Sequence, residues 1–320
     1  MSAEVQYKSG SNLEKVLAAG SFAVTAELGP PKSADLDLIR KKAELLRGCV
    51  DAVNVTDNQT AIVRVSSLAV SKLLVDLGLE PVMQMTCRDR NRLAMQADIL
   101  GAHLLGVRNL VCLTGDHQCF GNHPTARYVY DLDSVQLIQM VRNMRDKKVF
   151  ACGEEIRNTK KSEPKEPRMF IGGAANPFAD PFEFRVHRLA KKINAGADFV
   201  QTQCIYNMNK FRQFMKMAVD MGLTEKCFIL AGVTPLKSVG MAQYMAKQVP
   251  GMDVPPEMID RLKGAGKGKA AEEGIRIAIE QIEEFKEMKG VAGVHLMAIE
   301  WEHRVAEIAE RAKVLPRPIV

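Results

Sequence analysis

The chain has no apolar run longer than a strand, which excludes a helix able to cross a membrane. It has no basic-then-apolar stretch at its start, so no leader is expected and the mature chain should begin at or near Met1. No two of its seven cysteines (Cys49, Cys87, Cys112, Cys119, Cys152, Cys204 and Cys227) stand in a C-x-x-C arrangement, which argues against a zinc or iron–sulfur site on this chain. Their odd number and their placement in apolar runs predict reduced, buried thiols and a cytoplasmic location. There is no block of basic residues either: 44 Lys and Arg against 38 Asp and Glu give +6, scattered along helical stretches. That points away from nucleic acid and toward an anionic small molecule or an acidic partner. A Ser-His-Asp order, a nucleophile elbow and a metal-spaced His pair are all missing, so neither a hydrolytic triad nor a metal centre is expected.

What is present is a rhythm. At 320 residues, 47 per cent hydrophobic and 26 per cent charged, the chain has the composition of a globular protein of one large domain or two ordinary ones. Short apolar runs at 22–28, 52–57, 81–87, 109–115, 169–175, 199–204, 227–233 and 293–298 read as parallel strands covered on both faces. Amphipathic stretches follow each, at 34–47, 63–77, 90–105, 133–147, 181–195, 208–221, 237–247 and 301–313. Gly78, Gly106, Gly196 and Gly222 fall where such helices should end, as C-caps do. Eight strand–helix units at this length predict a single (β/α)8 TIM barrel over 1–320. Three places depart from the rhythm besides the N-terminal extension 1–19: a long loop at 117–132, a polar surface insertion at 152–168, and extra helices at 255–289 between units seven and eight. Gly264-Ala265-Gly266-Lys267-Gly268-Lys269 lacks Walker spacing and follows no strand, so it reads as a joint between helices. Met208, Met215, Met217, Met221, Met241 and Met245 read as core filling, and the charges of 280–289 as a solvated helix face.

Barrel chemistry belongs at the carboxyl ends of strands. Glu27 ends the first apolar run, and Gly29-Pro30-Pro31 stiffens the exit just beyond it. A carboxylate there is either a strand-end acid paired with a Lys or a proton donor held where the strand opens to solvent. The corresponding positions elsewhere carry Thr56-Asp57-Asn58, Gln84 with Thr86, Thr114-Gly115-Asp116, Asn176, Gln203 and His295. Each has a structural explanation by itself, but together they predict a polar-lined pocket with two acids, Glu27 and Asp116, on non-adjacent strands.

At these residues the chain resembles the methylenetetrahydrofolate reductase family. The similarity lies in Thr25-Ala26-Glu27-Leu28-Gly29-Pro30-Pro31, Asn54-Val55-Thr56, Met85-Thr86-Cys87 and Leu113-Thr114-Gly115-Asp116. Most specific is Asn194-Ala195-Gly196-Ala197-Asp198-Phe199-Val200-Gln201-Thr202-Gln203. The loop that follows Gly115 looks most like the short form from acetogenic and related anaerobic bacteria. The resemblance implies a flavoprotein barrel reducing 5,10-methylenetetrahydrofolate to 5-methyltetrahydrofolate, with NAD(P)H or a partner protein as electron donor. It implies that Glu27 is the general acid, that Asp116 binds the pterin and tunes the flavin, and that Gln203, with Thr56, contacts the folate. Thr56, Gln84, Gly115, Asp116, Ala174, Asn176, Arg188 and Lys192 fall where the family holds flavin. Gln84 stands where familiar members have His, Asn176 where they have Tyr and Thr114 where they often have Arg, so both FAD and FMN stay open. Met241 and Met245 replace a Gln and an aromatic that familiar members use toward substrate and nicotinamide. An iron–sulfur or zinc-bearing partner subunit is compatible with this pattern, and self-association into a homo-oligomer is left open. Two other readings share the pocket: a pterin-binding barrel methyltransferase without flavin, and a flavin-carrying electron-transfer subunit active only with a partner.

Overall fold

Eight parallel strands hydrogen-bond in sequence order and close on themselves. They are β1 (Ala23–Leu28), β2 (Ala52–Val55), β3 (Pro81–Thr86), β4 (Asn109–Leu113), β5 (Phe170–Ala175), β6 (Phe199–Cys204), β7 (Phe228–Val233) and β8 (Val291–Leu296). The helices are α1 (Asn12–Ala18), α2 (Leu36–Leu46), α3 (Ser67–Asp76), α4 (Arg92–Leu104), α5 (Ser134–Arg142), α6 (Phe184–Ala195), α7 (Met208–Asp220), α8 (Val239–Gln248), α9 (Pro256–Gly264), α10 (Ala270–Glu287) and α11 (Val305–Arg311). The computed structural model describes residues 6–249 and 251–320. The architecture is the (β/α)8 TIM barrel that the sequence predicts, with α9 and α10 as the extra helices between units seven and eight.

Strand residues alternate between two environments, as the two-residue period of a strand requires. Val24, Ala26 and Leu28 of β1 point outward into the large apolar layer beneath the helices, whereas Ala23 joins a smaller cluster inside the barrel. That inner cluster sits at the amino ends of the strands and includes Val82, Val111, Phe170, Phe199 and Leu230. Phe170 and Phe199 stack with ring centroids 5.0 Å apart, and a Cβ at Gly172 would run into the Phe199 ring. One residue pair further along, the interior turns polar. Thr25, Asn54, Gln201 and His295 are buried there, with the Thr25 hydroxyl 3.0 Å from His295 Nδ1 and Gln201 Nε2 donating to Thr25 Oγ1 at 3.3 Å. Beyond this layer the barrel opens.

The structure corrects the sequence reading in several places. The described part of the 1–19 extension is not a plain tail: it forms α1, whose Leu13, Val16 and Leu17 close the amino end of the barrel. The stretch 63–77 becomes helical only from Ser67, because 57–65 loops over the barrel mouth. The last strand is Val291–Leu296, two residues earlier than the sequence reading places it. Five cysteines are buried, but Cys119 and Cys152 are exposed because they lie on the two long excursions rather than in strands. Met215 and Met245 fill cores as expected, whereas Met221 caps α7 and is exposed. The Gly264–Lys269 segment does join two helices, α9 and α10.

Candidate functional site

A cavity of about 500 Å³ opens at the carboxyl ends of the strands, the size of a cofactor or substrate site. Glu27, Thr56, Gln84, Gly115, Asp116, Ala174, Asn176, Arg188, Lys192 and Gln203 all line it. The sequence-predicted residues are thus brought to one place, with His295 beside them.

Glu27 enters this cavity from the end of β1, its side chain 20 % exposed, and its Oε2 lies 3.9 Å from His295 Nε2. Burial pushes its carboxyl up from 4.5 to about 7, and the nearby Glu302 carboxylate adds to the rise while Lys42 and Arg64 oppose it. His295 is driven the other way, to about 4, by its own burial. At neutral pH the imidazole is therefore uncharged and gives Glu27 no ion pair. Lys42 is engaged elsewhere, donating to Glu302 at 2.6 Å. The strand-end acid paired with a lysine is not what the structure contains. It contains a carboxyl poised near neutrality.

Asp116 sits across the cavity on the loop after β4. Its carboxylate accepts the Thr60 N–H at 3.1 Å, and its main-chain carbonyl accepts from Arg88 Nη1 and from the Tyr130 hydroxyl, both at 3.2 Å. Gly115 before it has φ +91°, and a Cβ there would crowd Thr86 and Arg88. Gln203 is turned by an irregularity in the β6–β7 register and accepts the Cys204 N–H at 3.3 Å, leaving its amide nitrogen free of any hydrogen bond to the described residues. The Thr56 hydroxyl donates to Gln59 Oε1 at 2.7 Å. Asn176 is already committed: Oδ1 accepts from Phe178 and Ala179 of the β5–α6 loop, and Nδ2 donates at 3.2 Å to the carbonyl of Gly251, between α8 and α9.

The opposite wall is cationic. Arg185, Arg188 and Lys192 are spaced i, i+3 and i+7 along α6, which puts them on one face, and all three line the cavity. Burial and the neighbouring Arg188 pull the Lys192 ammonium down to about 8 while it donates to the Ala174 carbonyl at 2.5 Å. Arg88 and Arg185 were not legible as site residues. The mark of Arg185 is its helical spacing from Arg188. Arg88 follows the end of β3 by two residues and gives no such pattern. Asp57, also in the ring of polar strand ends, is instead a buried strut: it accepts from Thr86 N and Oγ1 and pairs with Arg90 at 2.8 Å.

Residues 12–313 match the family model for methylenetetrahydrofolate reductase. The chain belongs to that family. A probable NADPH-dependent methylenetetrahydrofolate reductase of Caenorhabditis elegans is 24 % identical over 249 residues, covering 76 % of this chain and 34 % of the relative. Methylenetetrahydrofolate reductase 2 of Schizosaccharomyces pombe is 25 % identical over 246 residues, covering 73 % and 36 %. This family member therefore spans about a third of the length of the curated relatives it matches. Among solved structures, a Clostridium thermocellum protein that binds two copies of 5-methyl-5,6,7,8-tetrahydrofolic acid superposes with a TM-score of 0.62 at 15 % identity, over 95 % of this chain and 99 % of that one. At that identity the likeness bears on the fold. Among the described residues no helix is long and apolar enough to cross a membrane, and no three His, Cys, Asp or Glu side chains are grouped as a metal site needs.

Proposed function

We propose that the chain reduces 5,10-methylenetetrahydrofolate to 5-methyltetrahydrofolate with a bound flavin, as one barrel domain over 1–320, with Glu27 as the proton donor. The observation that carries this is a strand-end carboxyl, pushed up to about 7 by burial, that lines the cavity of a member of this family. A general acid works best when its pKa lies near the working pH, and Glu27 meets that condition by burial. The folate ligand of the Clostridium thermocellum barrel is of the same chemical class as this product.

A flavin fits the donor set. Its phosphate matches the cationic face of Arg185, Arg188 and Lys192, and the polar strand ends suit a ring with several acceptors and donors. When bound, it supplies the hydride. This chain's residues do the rest. Glu27 gives its proton to the bridging N10 of the folate, the methylene–N10 bond opens, and the positive charge moves onto the N5-methylene iminium. Asp116, held by Thr60 and Arg88, and the now ionised Glu27 favour that cation across the cavity. Overall the substrate takes up this proton and a hydride, two electrons and two protons in all, and its methylene becomes the N5-methyl group. Gln203 and Thr56 hold the folate in register with Glu27.

Two measurements test this reading. The purified chain, expressed with flavin, should show flavin absorption that bleaches on reduction and returns with methylenetetrahydrofolate, and varying the reductant identifies the donor. A colourless protein would overturn the flavin assignment. Glu27→Gln should still take up electrons and bind folate yet turn over about 10²–10⁴-fold more slowly. Full activity in that variant would remove Glu27 from the chemistry.

A further inference from the structure

The outer helices of the barrel turn charges to solvent: α2 exposes Asp37, Arg40, Lys41 and Glu44, and α7 exposes Arg212, Lys216 and Asp220. α4 does not. Its inward side buries Met95, Ile99 and Ala102 in the core. Its outward side is Leu93, Ala94, Ala97, Leu100, Gly101 and Leu104, with no charge among them. Arg92 and Asp98 flank this side and are paired with Asp131 and Arg90. The i, i+4, i+7, i+11 spacing sets Leu93, Ala97, Leu100 and Leu104 in one stripe along the helix. Leu93 and Leu104 are 75 % and 85 % exposed, more than any other large apolar side chain in an α-helix among the described residues. A helix apolar on every side is ordinarily covered on every side, and a bare apolar stripe marks a contact surface.

We propose that a second copy of this chain docks on the stripe, with the two α4 helices antiparallel about a two-fold axis that passes between Asp98 and Ile99. A two-fold contact must be self-complementary, and this stripe is. Reversing α4 about that midpoint brings Leu93 against Leu104 of the second copy, and Ala97 against its Leu100. Leucine then meets leucine at both ends, and large meets small at the centre, as close packing requires. An unlike partner would not call for a stripe that reads the same in both directions. Antiparallel packing also sets the positive end of each helix dipole beside the negative end of the other. The area is of the right order: two leucines this exposed leave roughly 250 Å² bare, about half the apolar area that one partner of an ordinary dimer contributes. Ala94, Ala97, Leu100 and Gly101 extend it. The contact lies on the outer wall of the barrel, so it stands or falls apart from the chemistry proposed for Glu27.

The test is the mass of the whole chain in solution, by sedimentation velocity across a dilution series. The parent should sediment at twice its 35.4 kDa at about 50 μM and move toward the single mass on dilution. Leu93→Glu and Leu104→Arg should each raise the dissociation constant about a hundredfold or more, since a two-fold contact feels each change twice. Circular dichroism should stay at the parent level in both, because both side chains are exposed. Carried together on one chain, the two changes should bring the dissociation constant back to within about tenfold of the parent. Position 93 of each copy then faces position 104 of the other with opposite charge. Within one helix those positions lie about three turns apart and cannot pair with each other. A parent that keeps the single mass at about 50 μM would overturn the proposal, whatever other protein the stripe then meets. So would a dimer that neither single change weakens, or a double variant as weak as the singles. If one single variant loses its helicity, the other decides alone, and a dimer as tight as the parent's overturns the pairing.

Discussion

A carboxyl kept protonated by burial is a stability liability, and at Glu27 the sign can be worked out. Unfolded, the group ionises through its ordinary 4.5, and folded it holds its proton to about 7. Between those values the folded state binds more protons than the unfolded one, so stability falls as pH rises through the window and the deficit is complete above it. Discounted for a side chain that is 20 % exposed, the loss is about 2 kcal/mol. Glu27→Gln should therefore be more stable than the parent by about 2 kcal/mol at pH 8 and indistinguishable from it near pH 4, in equilibrium urea unfolding. An equal difference at both values would mean that packing, and not ionisation, separates the two. Under the proposed mechanism the same substitution trades turnover for stability. His295 shows how little of this is written in the residue alone. Its identity suggests a cation, but burial beside Thr25 and Asn54 keeps it neutral.

Elements differ in how plainly the sequence announces them. The strands are legible because parallel strands under helices are apolar on both faces over most of their length. What that reading passes over is the alternation inside each run: Thr25, Asn54 and Gln201 share the inward face with Glu27, Thr56 and Gln203, which line the cavity. α1 is only seven residues long and precedes the first strand, yet it carries a start signal in Ser11, whose side chain accepts the Glu14 N–H. The 57–65 loop was beyond the sequence. Thr60 and Ala61 take φ values of 57° and 56°, a region such residues enter only when the fold imposes it, beside Asn58 at 45°. Asp116 and Asn122, far along the chain, hold that loop through Thr60 and Val63. On α6 one face carries all three cations, the pattern on which the proposed phosphate site rests. Arg188→Ala and Lys192→Ala should each weaken flavin binding about tenfold or more, measured as free flavin fluorescence after ultrafiltration, with helicity unchanged. Undiminished retention in both would place the phosphate elsewhere.

At the scale of the whole molecule the two ends of the barrel have opposite jobs. The carboxyl end is polar, open and partly strained, and the amino end is filled by the apolar inner cluster and covered by a helix. The seal is α1. Glu80 accepts the Asn12 and Leu13 N–H groups at 2.5 and 2.9 Å and Asn109 Nδ2 at 2.9 Å, fixing the helix across the strand starts. Glu14 in turn accepts from the backbone of Lys8, Ser9 and Gly10, so the approach to α1 is tied down as well. Leu13 is fully buried against the inner cluster, so truncation opens a cavity in close-packed surroundings. Leu13→Ala should therefore destabilise the protein by about 2–5 kcal/mol. The single tryptophan, Trp301, follows β8 at the other end of the barrel and serves as a remote reporter. If 1–320 unfolds as one unit, Trp301 fluorescence and far-ultraviolet circular dichroism should shift together to lower denaturant in Leu13→Ala, while flavin retention before the transition stays at the parent level. A tryptophan transition left in place while the dichroism midpoint moves would show that α1 frays alone and that the barrel stands without its seal.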